Sequence, residues 1–133
     1  MISLEYVFLE KAEENLEAAR SEFANRRYNS CASCCYYACF QAAVYALATA
    51  GIRPRGASER WGHNFVQAEF NGQLINRRKL YPAGLRTTLI QNYVLRETAD
   101  YTANHVSEVR AARAVARAQQ FLGSVTSGGG AQT

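Results

Sequence analysis

The stretch from residue 28 to residue 52 reads YNSCASCCYYACFQAAVYALATAGI, and it contains no charged residue. A helix of this length could cross a bilayer. However, the stretch is rich in Ala, Cys, Tyr, Ser and Gln rather than in Leu and Ile, and no second apolar span follows it. A helix that is apolar on all sides is typical of the centre of a bundle, or of a helix that also lines a dimer interface. We therefore expect the central helix of a bundle here.

The rest of the chain also favours helices. Ala is abundant, β-branched residues are sparse, and the only prolines are Pro54 and Pro82. We find no alternation typical of a strand. The sequence predicts an all-α protein, an up-and-down bundle of four to five helices, formed by one domain over residues 1–125. A Gly-rich flexible tail over residues 126–133 follows it. The predicted helices are about 4–24, 29–50, 62–74, 81–97 and 106–125.

Local signals set these boundaries. Asn29 or Ser30 can cap the second helix, and Asn71-Gly72 can break the third. Pro82 fits the first turn of the fourth helix, and Ser107 can cap the fifth. On the first helix, the predicted apolar face begins at Leu4 and continues through Phe8, Ala12, Leu16 or Ala19, and Phe23. On the fifth helix the apolar stripe is Ala111, Val115, Ala118, Leu122 and Val125, while the opposite face carries Arg110, Arg113 and Arg117.

The 133 residues carry a formal net charge of +4. One interpretation is an ordinary solvated surface with a small excess of arginine. The other is a surface that recruits partners bearing phosphate groups, to which Arg can bind in a bidentate manner. We expect no signal peptide before the first helix, because the charged amphipathic pattern begins at once. We expect a cytoplasmic protein with reduced thiols and no membrane partner.

Four cysteines lie within nine residues, at Cys31, Cys34, Cys35 and Cys39. A zinc site or a redox dithiol is one interpretation. However, neighbouring positions on one rigid helix cannot bring four sulfur atoms to a single point. We therefore expect small, buried cysteines that let helices approach closely, and we expect no metal and no cofactor. The aromatic residues of the same helix, among them Tyr36, Tyr37 and Phe40, are expected in the core or in an interface.

A polar cluster follows the apolar part of the fourth helix and reads Arg96-Glu97-Thr98-Ala99-Asp100-Tyr101. It places a guanidinium, carboxylates and a phenol within six residues. In one interpretation an ion pair and a buried phenol fasten the fourth helix to the second. In the other, Arg96 holds a phosphate in an anion site. P-loop, dinucleotide, zinc-protease and Ser-His-Asp patterns are absent from the sequence.

The chain has two histidines. His63 follows Trp61-Gly62 at the start of the third helix, where a structural hydrogen bond is the simpler expectation. His105 lies in the loop before the last helix, where exposure to solvent is the simpler expectation. Its closeness in sequence to Arg96 also makes His105 a candidate acid or base.

An ordered set of motifs resembles the HEPN family of small helical domains. The segment Tyr28-Asn29-Ser30 followed by YYACFQAA, residues 36–43, resembles the family's second helix. Gly62-His63 followed by Phe70 resembles its Ser-His…Phe segment. Residues 96–101 and then Val106-Ser107-Glu108 resemble its C-terminal half, in a branch that carries Arg-x-x-Ala-Asp-Tyr. The resemblance covers the chain from the first helix to about Leu122.

The resemblance implies a helical bundle, usually a homodimer. It also implies membership of a group that includes toxin ribonucleases partnered with minimal nucleotidyltransferases. Active members carry Arg, four to six further residues and then His in a cleft shared by the dimer. There His moves protons and Arg stabilises charge on the phosphorane, without a metal ion. In some partnered systems the nucleotidyltransferase attaches AMP to a Tyr near this motif.

This sequence departs from that motif, because Tyr101 stands where the family has His. A phenol titrates near about 10 and is a poor general base at neutral pH. The resemblance therefore implies phosphate binding at the Arg96–Tyr101 cleft, by Arg96, Asp100, Tyr101 and His63. We expect a protein that acts with a minimal nucleotidyltransferase in a toxin–antitoxin or defence setting. The alternatives are an active metal-independent endoribonuclease that uses Arg96 with Tyr101 or His105, and a non-catalytic interaction module.

Overall fold

The computed structural model describes residues 4–55 and 60–127, and all of its regular elements are helical. The predicted flexible tail lies outside the described residues from residue 128 onward. Within these described residues, five α-helices, a π-helix and a 3₁₀-helix follow one another. In order they are α1 (Tyr6–Ala24), α2 (Tyr28–Thr49), α3 (His63–Glu69), the π-helix (Phe70–Arg77), the 3₁₀-helix (Ala83–Thr87), α4 (Thr88–Tyr101) and α5 (Glu108–Thr126).

The charge-free segment forms α2, and α2 is the centre of the bundle. It packs against α1, α3, α4 and α5. Although α2 is long and apolar enough to cross a membrane, about two thirds of its most apolar 18-residue segment is buried inside the protein. Its buried side chains are mostly small, which allows the surrounding helices to approach closely. They include Cys31, Ala32, Cys35, Ala38, Cys39, Ala42, Ala43 and Ala46. The predicted central helix is therefore confirmed.

The connections explain how the neighbouring helices are placed. Residues 25–27 turn the chain back on itself, with Arg26 in the left-handed region at φ 61°, so α1 and α2 pack as an antiparallel pair. The prediction for the first helix was wrong at its start, because Leu4 precedes α1 and is 86% exposed. The rest of the predicted face is confirmed, because α1 buries Ala12, Leu16 and Ala19 together with Leu9, and Phe8 and Phe23 pack against the core.

The predicted break at Asn71-Gly72 was also wrong. Here α3 continues directly into the π-helix, which is closed by hydrogen bonds from Arg78 N to Gln73 O and from Leu80 N to Leu74 O. A π-helix bonds residue i to residue i+5, so residues four and five positions apart lie on the same side. Its fully or nearly fully buried residues are Phe70, Leu74 and Ile75. The gain from their packing explains why the chain stays helical through a glycine.

The polar cluster of residues 96–101 lies at the end of the fourth helix, before the fifth helix begins. Pro82 is extended rather than helical, and the backbone N–H of Leu85 bonds to its carbonyl to start the 3₁₀-helix. The α-helix therefore begins later than predicted, at Thr88, and it extends to Tyr101, so the whole polar cluster is helical. The predicted cap of α5 is confirmed, since Ser107 Oγ accepts a bond from Arg110 N at 3.2 Å.

Candidate functional site

Arg96 lies at the centre of an aromatic cage built by α2 and α4. Its Cζ atom lies 5.0 Å from the ring centre of Tyr36, 5.6 Å from that of Tyr37, 5.5 Å from that of Tyr93 and 5.5 Å from that of Tyr101. A cation near the face of a tyrosine is attracted to the ring electrons. The side chain of Arg96 is only 14% exposed, so these contacts act in a poorly solvated environment.

Two directed bonds fix the guanidinium inside this cage. Nη1 donates to the Tyr37 hydroxyl at 2.9 Å, and Nη2 donates to Glu97 Oε2 at 3.0 Å. Burial alone would lower the pKa of Arg96, but the interactions with Tyr37, Tyr101 and Tyr36 outweigh it and raise that pKa. Arg96 therefore stays charged, and it has N–H groups beyond the two that these bonds use.

Tyr101 forms the outer wall of the cage. It is the last residue of α4, and 69% of its surface is exposed. The ring thus contacts a buried cation on one side and solvent on the other. The structure brings Arg96 and Tyr101 together, as the sequence pattern predicted. The expectation of a buried phenol was wrong, because the polar end of α4 emerges from the bundle.

Asp100 does not pair with Arg96. Its Oδ1 accepts a bond of 2.7 Å from Ser33 Oγ on α2, while the adjacent Glu97 makes the ion pair. Asp100 lines a groove of about 750 Å³ whose other charged residue is Glu22. Two carboxylates repel phosphate. Among the predicted phosphate-binding residues, Arg96 and Tyr101 are therefore better placed than Asp100 to bind an anion.

His63 shares the aromatic cluster with Arg96, although it lies on a different element. Its ring stacks on Tyr93 at 4.0 Å between centres, and its Nδ1 hydrogen-bonds with the Tyr36 hydroxyl at 2.9 Å. Burial has the largest effect on the pKa of His63 and lowers it. The hydrogen bond with Gln67 opposes this in part, the Arg96 cation lowers the pKa further, and Glu97 has the smallest, opposing effect. Burial likewise raises the pKa of the Tyr36 phenol. His63 is therefore held as a neutral imidazole beside a neutral phenol.

His105 lies elsewhere. Its Nδ1 hydrogen-bonds with Asn29 Nδ2 at 3.1 Å, and Asn29 Oδ1 accepts the backbone N–H of Val106 at 2.9 Å. The side chain of Asn29 therefore ties the loop before α5 to the start of α2. This use of Asn29 also corrects its predicted role, because α2 begins at Tyr28 without a side-chain cap. The histidine that shares aromatic neighbours with Arg96 is thus His63 rather than His105.

The cysteines behave as structural residues. All four are free thiols, with Cys31, Cys35 and Cys39 buried and Cys34 partly buried. Burial raises the pKa of Cys39 to about 12, which keeps it protonated at neutral pH. In residues 4–55 and 60–127, no three His, Cys, Asp or Glu side chains are grouped so that they could hold a metal ion.

Sequence reasoning missed two features, one in the aromatic cage and one outside it. Tyr93 completes the cage because it lies three residues before Arg96, a spacing that places both on one face of α4. That signal was available in the sequence. The second feature is Arg117, which was placed on the outer face of α5. Its Nε instead donates to Oδ1 of the fully buried Asn92 at 2.9 Å. No sequence pattern marked Asn92 as buried.

Comparison with known proteins identifies the family. The family model of the HEPN domain matches residues 6–127, which includes every described α-helix. A protein of Methanocaldococcus jannaschii, named "Putative toxin MJ0605", is 30% identical over 117 residues. The aligned region covers 86% of this chain and 80% of that relative. With a central apolar helix, an Arg-bearing fourth helix and this match across nearly the whole bundle, the chain belongs to the HEPN domain family.

Proposed function

We propose that this chain is the toxin-like member of a two-protein system, and that the end of α4 around Arg96 and Tyr101 binds a phosphate of RNA or of a nucleotide. The observation that carries the proposal is a charged guanidinium held against an exposed tyrosine ring. The name of the archaeal relative supports the toxin-like part. The family resemblance supports a homodimer and a minimal nucleotidyltransferase as the partner protein.

The chemistry of the cage suits a phosphate contact. A guanidinium has five N–H donors, and each Nη atom of Arg96 donates one of its two in the described bonds. The remaining Nη donors can engage phosphate oxygens in a charge-assisted pair. Tyr101 is the wall that meets solvent, so rotation of its exposed side chain would open a path to the guanidinium. Its hydroxyl could then donate a further hydrogen bond.

Equilibrium binding tests this proposal. A fluorescently labelled single-stranded RNA and a labelled ATP are titrated with the wild type, with Arg96→Lys and with the matched control Arg77→Lys. Lysine keeps the charge but loses the bidentate fork. We expect Arg96→Lys to weaken binding about tenfold, equivalent to about 1.4 kcal/mol, and Arg77→Lys to bind as the wild type does. Equal affinities of Arg96→Lys and the wild type, with both shown to be folded, would refute phosphate binding at Arg96.

A metal-independent endoribonuclease is the second candidate function. It is favoured by the neutral imidazole of His63, which shares Tyr36 and Tyr93 with Arg96. A neutral imidazole can act as a general base, and the guanidinium can stabilise a phosphorane. Incubation of the protein with RNA in EDTA tests this candidate. Cleavage that disappears in both Arg96→Ala and His63→Asn would support it, and intact RNA at a large excess of protein would exclude it.

The partner and the dimer are tested separately. Gel filtration of the purified chain is expected to give a dimer. Co-expression with the protein encoded beside it is expected to give a stable complex if that neighbour carries the Gly-Ser…Asp-x-Asp pattern of a nucleotidyltransferase. A monomer with no such neighbour, together with no RNA or ATP binding, would leave the non-catalytic interaction module as the remaining interpretation.

A further inference from the structure

A groove lies between α4 and α5, away from the aromatic cage. Both helices pack on α2, and the space between them has a volume of about 350 Å³. The two sides of the groove differ in chemistry. One side is mainly aliphatic and belongs to α4, whereas the other side is basic and belongs to α5. The lining residues are Ile90, Gln91, Val94, Leu95, Arg110, Arg113 and Arg117.

The basic side of the groove has no acidic partner among residues 4–55 and 60–127. Arg110, Arg113 and Arg117 follow the spacing i, i+3 and i+7, so they share one face of α5 over about 10 Å. In the part of the chain that the structure describes, none of the three forms an ion pair. Burial lowers the pKa of Arg117; Cys39 and Cys35 oppose this in part, and the charges of Arg110 and Arg113 lower it slightly further. The three cations therefore repel one another, and an anion in the groove would relieve that repulsion.

Arg117 is held in place before any ligand arrives. Its Nε donates to Asn92 Oδ1 at 2.9 Å, and Asn92 Nδ2 donates to Cys39 Sγ at 3.4 Å. Asn92 is completely buried, so this chain of bonds connects the groove to the central helix. A side chain fixed in this way loses little further freedom when it binds a carboxylate. The groove thus contains one prearranged cation beside two exposed ones.

The aliphatic side is partly open to solvent. Val94 is 49% exposed, although it lies on the same helix as the fully buried Asn92. Ile90, one turn earlier, is partly buried. Apolar residues four positions apart on a helix form a row that can receive the apolar side chains of a second helix. The groove thus combines an apolar row with a parallel basic row.

We infer that the α4–α5 groove docks an acidic amphipathic helix of a partner protein. Such a helix would place apolar side chains on Ile90 and Val94, and carboxylates at matching helical spacing on the arginines of α5. The apolar row favours this occupant over a nucleic acid strand, whose backbone would need only the cations. The span of the arginines favours it over a single small phosphate. The inference rests on the proposed function for the existence of a partner protein, but it concerns a separate surface.

A designed peptide tests the inference on the full-length chain. The probe is a fluorescein-labelled helical peptide of about four turns, in which Leu recurs every three or four residues and Glu flanks that row. A second peptide has the same composition in shuffled order. Fluorescence anisotropy is measured with the wild type, Arg113→Glu, Val94→Ser and the control Arg77→Glu. Arg113 and Arg77 are both exposed, so neither substitution is expected to unfold the protein.

We expect the ordered peptide to bind the wild type and Arg77→Glu alike, and to lose at least tenfold in affinity with Arg113→Glu and several-fold with Val94→Ser. Equal binding of the shuffled peptide would overturn the inference. It would also be overturned if labelled single-stranded RNA bound this groove and the peptide did not. A dimer that dissociates in Arg113→Glu would also overturn it, because a second copy of the chain would then occupy the groove. Arg96→Lys is expected to bind the peptide normally, so a failure here is distinguishable from a failure of phosphate binding.

Discussion

The aromatic cage and the α4–α5 groove present their arginines in opposite ways. Arg96 is a single cation that is 14% exposed, enclosed by four tyrosine rings and paired with Glu97. In the groove, three cations share one helix face with no ion pair among the described residues. The cage therefore uses most of the favourable interactions of its cation within the protein, whereas the groove leaves the interactions of its cations for a ligand.

This contrast changes the weight given to two sequence signals. The cluster of residues 96–101 predicts a site because it brings different polar groups together. The arginines of α5 resemble an ordinary solvated face. In the structure the first cluster contributes to folding as well as to any binding, and the second face borders a partly apolar groove. A cation whose charge is largely compensated stabilises the fold and keeps only its spare N–H donors for a ligand, whereas an uncompensated cation is fully available to a partner.

The strongest test of the contrast is truncation of each cation. Arg96→Ala removes cation–π contacts, a hydrogen bond and an ion pair from a poorly solvated site. We expect it to lower the free energy of unfolding by about 3 kcal/mol. Arg113→Ala removes an exposed cation that is repelled by its neighbours, and we expect a change within about 0.5 kcal/mol. Urea unfolding followed by circular dichroism measures both. Similar losses in the two variants would show that the cage does not hold its cation more tightly than the groove does.

A smaller effect is expected where the groove meets the core. Asn92→Ala removes the acceptor of Arg117 and the donor to Cys39 from a fully buried position. We expect a loss of about 2 kcal/mol in the free energy of unfolding, because a buried polar partner is lost and a small cavity forms. Asn104→Ala, in an exposed loop, is the matched control, with an expected change below about 0.5 kcal/mol. Equal stability of Asn92→Ala and the wild type would mean that Arg117 is not fixed by this bond.

The smallest expected effect is the pH dependence that originates at His63. Its pKa is lowered in the folded protein, so the unfolded chain binds a proton more readily than the folded chain does. Stability is therefore greatest above the unfolded pKa of about 6.5, and it falls as the pH decreases through the lowered folded pKa. Between about pH 7.5 and about pH 5, a range that includes the unfolded pKa of histidine, melting temperatures are expected to fall less in His63→Gln than in the wild type. An equal decrease in His63→Gln and in the wild type would show that His63 does not cause this pH dependence.

Much of the fold could be predicted from simple patterns. The absence of charge in residues 28–52 predicts a central helix, because an unpaired charge would be costly there. Ser107 followed by Glu108 predicts the start of α5 from local hydrogen bonding. The π-helix over residues 70–77 could not be predicted in this way. Its wide turn is stabilised by how Phe70 and Leu74 pack against other elements, and local propensity at Asn71-Gly72 favours a break.

The candidate site also has features that local spacing predicts and features that depend on how the helices pack. The proximity of Arg96 and Tyr101 is local to one helix, so spacing alone predicts it. The position of His63 beside Tyr36 and Tyr93 depends on how α3 packs against α2 and α4. Distance along the sequence wrongly favoured His105 as the histidine near Arg96. The role of Arg117 depends on one buried amide, Asn92, which is a rare choice for a core position. A pattern of residue types cannot show which polar residue the core accepts.

The small side chains of α2 also have a consequence for how the protein can vary. Ala38, Ala42 and Ala46 lie at intervals of one turn on a helix that is surrounded by α1, α3, α4 and α5. A larger side chain at any of them would displace a helix that is itself held by its other neighbours. A library of random substitutions selected for soluble protein should therefore retain few changes in α2 and many on the outer faces of α1 and α5.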